Sequence, residues 1–461
     1  MTYLLPTHPS LSCNDPLGIC DVEDPIQADV LTQLVHEARI APGISSLTTL
    51  IEDIAYSIHG NGRLDTSHLR QFLRTNWTDQ YVVALQNLLE SALLVPELFD
   101  TNSLDRLSGP NVSTTIPNSP SSSPVVRFTG LQINALLAHQ FLGTLSQPTG
   151  NTWGLPCFTS WFSGGVAHEN AVDGYLATIL GHFEHGGYDK SANFSFMMQK
   201  ADPMPEPSQC DAIPDLQLVV VSEESEPSSS DSDTESPFVL VAAHSQPGPG
   251  PTATHEERLQ SASPALSISA LVSPVIPPDA AVITSAFPLH AAWKGHNRTA
   301  RLECLIPPLS RPTRHYVLAD ALPLDEADDV EGGGLKDLQE GRMVREIRKL
   351  FASFEGSMVM QSQAEQPSSV PCIVKAVAWG CQAFGGNVLA KFVCMMIAAG
   401  LSGVHVQLSL LENRGADIEA VKDVLSKKHS VAELWRIVES PEVCHCRDTT
   451  ELKEFILSYQ R

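Results

Sequence analysis

The chain has 461 residues, 43% of them hydrophobic, which is enough for two or three globular domains. Its 29 basic and 53 acidic residues give a formal charge of −24, which argues against non-specific nucleic-acid wrapping and against binding to an anionic membrane surface. The ten cysteines are scattered without a CxxC pair, so neither a disulfide framework nor a zinc site is supported. No apolar run is long enough to span a bilayer, and we expect an intracellular protein.

The N-terminal part has a helical pattern. Apolar residues recur at helical spacing from Pro25 to Phe99. A Ser/Pro/Asn-rich stretch from Ser108 to Pro124 follows and is typical of an exposed linker. We therefore predict a helical region with a linker at its end over residues 1–125.

A second helical segment follows the linker. Thr129 and Gln132 have capping-box spacing, which predicts that a helix begins directly after Thr129. Another helix is predicted at about 170–182, and the alternation at 193–196 predicts a short strand. A Pro-rich break then suggests a domain boundary, so residues 126–207 form a predicted helical accessory segment.

Residues 208–461 show strand patterns alternating with helix patterns. The predicted strands are 216–221, 238–242, 281–284, 316–319, 373–377 and 404–410, and the predicted helices are 343–354, 388–401, 418–426, 431–438 and 450–458. This alternation predicts an α/β fold with a mixed or largely parallel sheet. The acidic, Ser-rich segment 222–237 is predicted to be a disordered loop between two strands.

A glycine-rich turn from Trp379 to Gly386 joins a predicted strand to a predicted helix. Glycines let the backbone approach an anion, and the first amides of a helix point toward bound phosphate. An ordinary Gly-Gly turn before a helix is the alternative interpretation.

The order of four motifs resembles that of the poly(ADP-ribose) glycohydrolase family. The motifs are Thr129 to Ala138, His255-Glu256-Glu257 with Pro264-Ala265-Leu266, Leu318 to Ala321 with Arg345-Glu346-Ile347, and Trp379 to Gly386. The resemblance covers about Pro96 to the C-terminus. It implies a macrodomain-like mixed sheet flanked by helices, preceded by an all-helical accessory region.

The resemblance implies that Glu257 is the general acid for cleavage of a ribose–ribose bond and that Glu256 holds the neighbouring ribose hydroxyl. Glycosidic cleavage needs a carboxyl of raised pKa to protonate the leaving oxygen. Read from the residues alone, the pair is better explained as a solvated helix start, with Thr254 as the N-cap. His255 belongs to the same motif and is a predicted substrate-binding residue.

The remaining predicted substrate-binding residues surround the glycine turn. Trp379 and Gly380 open the turn, the amides of Gly385 and Gly386 are expected to hold the diphosphate, and Phe384 is expected to pack on a ribose unless it is core. The family stacks a tyrosine on adenine. His296 falls near that position here, with Trp293 close by in the sequence.

Departures from the family are concentrated before the two glutamates. A triple-glycine loop is represented here by a run in which Gly248 and Gly250 alternate with Pro247, Pro249 and Pro251. Each proline removes a backbone donor and fixes φ. Fewer aligned donors weaken both ligand affinity and orientation.

The sequence therefore predicts a glycohydrolase that needs no cofactor or metal and releases ADP-ribose from poly(ADP-ribose). Its expected partners are ADP-ribose, poly(ADP-ribose) and poly(ADP-ribosyl)ated proteins, in the nucleus or cytoplasm and in the DNA damage response. The alternatives are a binding module that has kept the cleft but lost turnover, and a scaffold whose helical half binds other proteins.

Overall fold

The computed structural model describes residues 2–60, 62–107, 123–147, 156–223, 236–330, 333–363 and 371–459. Most of the predicted linker at 108–124 and of the predicted acidic loop at 222–237 lies outside the described residues. The helices are α1 (Gln27–Ile40), α2 (Ile44–Ser57), α3 (Ser67–Asn76), α4 (Asp79–Leu93), α5 (Val95–Leu98), α6 (Gly130–Leu142), α7 (Glu169–Glu184), α8 (His255–Ala262), α9 (Ser269–Val272), α10 (Arg342–Ser362), α11 (Val388–Ser402), α12 (Gly415–Ser426), α13 (Val431–Glu439) and α14 (Thr449–Ser458).

The strands range from two to eight residues. They are β1 (Tyr3–Leu4), β2 (Ser103–Leu104), β3 (Val125–Thr129), β4 (Asn193–Lys200), β5 (Leu216–Val221), β6 (Phe238–Ala243), β7 (Ala280–Thr284), β8 (Phe287–Pro288), β9 (Ala291–Lys294), β10 (Arg301–Leu305), β11 (Thr313–Asp320), β12 (Ile373–Ala376) and β13 (His405–Leu411).

The helical pattern predicted between Pro25 and Phe99 is confirmed by α1 to α5. The predicted capping box at the start of α6 is also confirmed. The Gln132 amide donates to Thr129 Oγ1 at 3.3 Å, and Thr129 N donates to Gln132 Oε1 at 2.9 Å. These two bonds satisfy donors that a helix N-terminus would otherwise leave open.

One mixed sheet organises the molecule. Its strand order is β3-β4-β7-β11-β6-β12-β13-β5, and β8 pairs with β11 beside this path. The strands β11, β6, β12, β13 and β5 are parallel neighbours, while β3, β4, β7 and β11 pair antiparallel in succession. The predicted mixed, largely parallel α/β sheet is therefore confirmed.

The two faces of the sheet carry different cores. On β6, Val239 and Val241 belong to the core that contains the N-terminal helices, whereas Phe238 and Leu240 belong to the core formed with α10 and α11. This alternation follows from the two-residue period of side chains along a strand. The central strand β6 is thus buried on both sides, as expected for parallel strands with apolar runs, whereas the edge strand β5 has no fully buried residue.

The sheet also includes strands from the segment predicted as a helical accessory unit. β3 and β4 lie within or beside residues 126–207, and β4 pairs antiparallel with β7. The sequence predicted only part of β4. It did not predict β3, which fills the short interval between the predicted linker and the predicted start of the helix after Thr129. The sheet therefore crosses the boundary that was predicted near residue 207.

Among the described residues, no helix combines the length and the apolar character that crossing a membrane would require. The most apolar of them, α11, has 15 residues.

Candidate active site

A cleft of about 390 Å³ opens at the carboxyl ends of three neighbouring strands. β6 lies between β11 and β12 in the sheet, and residues directly at or after all three strand ends line the cleft: Ala242, His244, Asp320, Ala321, Val377 and Ala378. The carboxyl edge of an open parallel sheet is the usual ligand position in α/β proteins.

Part of the predicted site meets in this cleft. Gly248, His255, Glu256, Glu257, Gly380 and Phe384 line it, whereas Gly250, His296, Trp379, Gly385 and Gly386 are not among the lining residues. Sequence reasoning did not select Thr252, Asn297, Asp320, Asp325 or Glu326, which also line the cleft. The acidic run after β11 was the one available signal for Asp325 and Glu326.

The glycine turn after β12 is held by its own hydrogen bonds. Gly385 N donates to the Gln382 carbonyl at 3.3 Å, and Gly386 N donates to the Gly380 carbonyl at 2.9 Å. The two amides expected to hold a diphosphate are therefore used within the turn. Gly380 and Gly385 have φ values of +73° and +67°, a conformation that glycine adopts without a steric penalty.

The tip of the same turn faces the cleft instead. Ala383 and Phe384 line it, and within the described residues their amides make no hydrogen bond with the protein. The Phe384 carbonyl accepts from Leu324 N at 3.0 Å and from Asp325 N at 3.1 Å, which ties the tip to the loop after β11. Two neighbouring open amides form the kind of concave donor group that binds an anion.

Trp379 anchors this turn to the core of the protein. Its side chain is fully buried, and its indole N–H donates to the Ala319 carbonyl of β11 at 2.9 Å. The ammonium of Lys391 on α11 lies 5.3 Å from the centre of the indole ring system. Trp379 thus joins β11, the turn and α11 and has no surface for a ligand.

A buried charge cluster lies beneath the turn. Lys391 forms ion pairs with Glu346 on α10 and with Asp337, and the side chains of all three are at most 5% exposed. Burial alone would lower the pKa of Lys391, but the carboxylates of Glu346 and Asp337 outweigh it and raise the pKa. Asp337 Oδ2 also accepts from Asn387 N at 2.8 Å, so this amide at the start of α11 is used within the protein.

Glu257 belongs to a buried capping box. Glu257 N donates to Thr254 Oγ1 at 3.3 Å, and Thr254 N donates to Glu257 Oε2 at 3.1 Å. Thr252 adds two further bonds, from its amide to Oε2 at 2.9 Å and from its hydroxyl to Oε1 at 2.8 Å. The helix cap considered from the sequence is therefore present, but the glutamate is 8% exposed rather than solvated.

Glu256 is held just as firmly on the neighbouring wall. Its Oε2 accepts from His244 N at 2.8 Å, and its Oε1 accepts from Gly248 N at 3.1 Å and from Gln260 Nε2 at 2.8 Å. Gly248, which lies between two prolines of the loop, thus donates a backbone hydrogen bond to this glutamate.

Burial changes the acidity of both carboxyl groups. It raises the pKa of Glu256 to about 8, against the hydrogen bonds from the amides of His244 and Gly248. Burial also raises the pKa of Glu257, although the bonds from Thr252 and Thr254 oppose this rise. A protonated carboxyl is therefore accessible near neutral pH, which general acid catalysis requires.

The proline-rich loop supports the glutamates. The Gly250 carbonyl accepts from the indole of Trp161 at 3.1 Å, and a Cβ atom added at Gly250 would overlap Oε1 of Glu257. Ala253 has a φ of +56°, which turns the amides on either side of it toward the Glu257 carboxylate. A non-glycine residue pays a conformational penalty for this left-handed geometry.

The residues predicted to stack on a base lie away from the centre of the cleft. Trp293 is fully buried and packs against Tyr175, with ring centroids 5.1 Å apart. His296 is half-buried and precedes a short helical turn, while the next residue, Asn297, lines the cleft. His255 Nδ1 accepts from Ala242 N at 3.3 Å, at the end of β6.

The cleft lining is acidic. The described residues that line the cleft include Glu256, Glu257, Asp320, Asp325 and Glu326 but no Lys or Arg. Asp320 is paired with Arg345 and Lys349, whereas within the described ranges neither Asp325 nor Glu326 has an ion-pair partner. No group of three or more His, Cys, Asp and Glu side chains in the described part of the chain is arranged to hold a metal ion.

Residues 253–416 match the family model described as "Poly (ADP-ribose) glycohydrolase (PARG), Macro domain fold", so the macrodomain-like fold expected from the sequence is confirmed. Three crystal structures of PARG from Deinococcus radiodurans in complex with ADP-ribose are similar to the chain. One is 14% identical, covers 44% of this chain and 79% of its own, and has a TM-score of 0.28. The second is 13% identical, covers 53% of this chain and 85% of its own, and has a TM-score of 0.27. The third is 14% identical, covers 48% of this chain and 90% of its own, and has a TM-score of 0.29. No curated protein matches the chain.

Proposed function

We propose that this chain, a divergent member of the poly(ADP-ribose) glycohydrolase family by its residues 253–416, hydrolyses the ribose–ribose O-glycosidic bonds of poly(ADP-ribose) and releases ADP-ribose. The observation that supports this activity best is the buried Glu256–Glu257 pair, which lines the same cleft as the open amides of Ala383 and Phe384. Carboxyl groups of raised pKa on one wall and anion donors on the other suit a sugar-diphosphate substrate.

The residues take distinct roles in this proposal. Glu257 supplies the proton to the leaving ribose oxygen as positive charge develops on the other ribose ring, and water then attacks that ring. Glu256 accepts a hydrogen bond from the neighbouring ribose hydroxyl. The amides of Ala383 and Phe384 hold the diphosphate, and no step requires a cofactor. Poly(ADP-ribosyl)ated proteins would then be the macromolecular partners.

The test is release of ADP-ribose from labelled poly(ADP-ribose) by the purified full chain. We expect release by the native protein and a loss of roughly 100- to 10,000-fold in Glu257→Gln, the range for removal of a general acid. Glu454→Gln is a matched control, because Glu454 is an exposed residue of α14 that does not line the cleft. Undiminished release by Glu257→Gln would rule out its assigned role.

A second function, a reader that binds ADP-ribose without turnover, is favoured by a separate observation. The oxygens of Glu257 accept hydrogen bonds from Thr252 and Thr254, which stabilise the ionised form rather than the acid. Binding of labelled polymer without any release by the native protein would establish the reader, and absence of both would exclude the two functions together.

The acidic lining predicts an unusual salt dependence of ADP-ribose binding. Asp325 and Glu326 face the cleft near the phosphate-binding tip, so their repulsion should weaken binding most at low ionic strength. We expect Asp325→Asn combined with Glu326→Gln to lower the dissociation constant for ADP-ribose by about fivefold at low salt. At about 1 M salt, where the screening length is about 3 Å, the dissociation constant should change little.

Calorimetric titration of ADP-ribose at both salt concentrations measures this effect, with Glu454→Gln again as the control that removes an exposed carboxylate away from the cleft. An unchanged affinity of the double variant at low salt would show that the two acidic side chains do not face the bound diphosphate.

A further inference from the structure

Both oxygens of the Glu257 carboxylate accept hydrogen bonds from the protein. Its Oε2 accepts from the amides of Thr252 and Thr254 at 2.9 and 3.1 Å, so a proton on this oxygen would oppose two N–H donors. The acidic proton must therefore be carried on Oε1. Oε1 accepts a hydrogen bond from the hydroxyl of Thr252, at 2.8 Å.

The other side of Oε1 is covered by the backbone of Gly250. A Cβ atom added there would overlap Oε1, and even the Cγ and Cδ atoms of Glu257 lie within 4 Å of that position. The glutamate is also only 8% exposed. A leaving oxygen in the cleft thus meets the Thr252 side chain on the route to Oε1.

Thr252 has the properties that such a position requires. It is exposed, it lines the cleft, and its hydroxyl can donate one hydrogen bond while accepting another. Its amide is anchored to the same carboxylate, and the left-handed conformation of Ala253, with φ +56°, fixes the turn that places both groups there.

We propose that the Thr252 hydroxyl relays the proton between Glu257 and the leaving ribose oxygen. This proposal rests on the proposed glycohydrolase function. In the relay, the hydroxyl turns so that Thr252 Oγ1 accepts the proton from Glu257 Oε1 while its own proton passes to the glycosidic oxygen. The bond between this oxygen and the anomeric carbon breaks, and its electron pair stays on the leaving oxygen.

Water then bonds to the anomeric carbon and loses one proton. That proton returns through Thr252 to Glu257, so the cycle consumes one water and restores both side chains. The net reaction is hydrolysis without an oxidant, a reductant or a further co-reactant. Thr252 is thereby a catalytic residue, because its hydroxyl contacts a reacting atom.

The test compares Thr252→Val, which keeps the shape but loses the hydroxyl, with Thr252→Ser, which keeps the hydroxyl. On poly(ADP-ribose) we expect kcat of Thr252→Val to fall about 100-fold with KM little changed, and kcat of Thr252→Ser to stay within a few-fold of native. ADP-ribose affinity and thermal unfolding of the two variants serve as controls for the fold.

A second substrate separates the relay from a structural role. An ADP-ribose carrying a 4-nitrophenyl leaving group at the anomeric carbon needs no proton on departure, so Thr252→Val should cleave it at nearly the native rate. Equal losses on both substrates, or native kcat of Thr252→Val on the polymer, would overturn the relay. Failure of the native protein to cleave either substrate would instead reject the glycohydrolase function, and the relay with it.

Discussion

Replacement of Lys391 by Met is expected to lower the free energy of unfolding by about 3–5 kcal/mol, the usual cost of removing one partner from a buried ion pair. The ammonium lies between the carboxylates of Glu346 and Asp337, which are almost fully buried. Methionine fills a similar volume but removes the ion-pair partner of buried Asp337, while Glu346 keeps its ion pair with Arg345 at 3.1 Å. Chemical denaturation with an unchanged m-value would measure the loss.

Lys453→Met is the matched control, because Lys453 pairs with Asp423 at 3.1 Å in a setting where the aspartate is 51% exposed. An exposed pair contributes less than about 1 kcal/mol. Similar losses of unfolding free energy in the two variants would mean that the buried cluster contributes no more to stability than the exposed pair.

We also expect Lys391→Met to weaken ADP-ribose binding. The glycine turn packs directly on the Lys391 side chain, because a Cβ atom added at Gly386 would lie 2.7 Å from Lys391 Cε.

The second large effect is expected from Gly250→Ala. The new methyl group would overlap Oε1 of Glu257, which is the movable end of a side chain, so the carboxyl should shift while the backbone stays in place. Displacement of a reacting group by about 1 Å can cost about 100-fold in rate. We therefore expect polymer cleavage to fall at least about 100-fold, with the free energy of unfolding lowered by only about 1–3 kcal/mol, the usual cost of overpacking at a buried site.

Steady-state release of ADP-ribose and thermal unfolding measure the two halves of this prediction. Gly415→Ala is the control for the chemical change, since nothing lies within 4 Å of a Cβ atom at Gly415. Native turnover by Gly250→Ala would show that the position of the Glu257 carboxyl does not limit the reaction.

Much of the α/β architecture could be predicted from the sequence because its strands are short apolar runs bounded by polar or turn residues. The apolar runs 216–221 and 238–242 coincide with β5 and β6 to within one residue. β9 and β10 were not predicted, since they form a separate two-stranded sheet in which β10 is largely exposed and lacks an apolar run. Pattern alone does not distinguish such a hairpin from a loop.

The motifs of the site could be predicted from the sequence, but the individual hydrogen-bond donors could not. The sequence indicates that a glycine turn follows β12, yet it does not reveal that Gly385 and Gly386 use their amides inside that turn. Thr252 gave no signal at all, because its proximity to Glu257 depends on the left-handed conformation of Ala253. Alanine rarely adopts this conformation, so the sequence offers no reason to expect it.

The sheet order also determines when the chain can complete its fold during synthesis. Among the described residues, β5 lies at the border of the sheet and pairs with β13 alone, with Leu216 opposite Val406. The end of β5 and the start of β13 are 405 − 221 = 184 residues apart. At about 5–20 residues per second, a ribosome needs about ten to forty seconds to bridge this interval. Throughout it the valine-rich edge of β5 has no strand partner, which makes the nascent chain a candidate for chaperone protection.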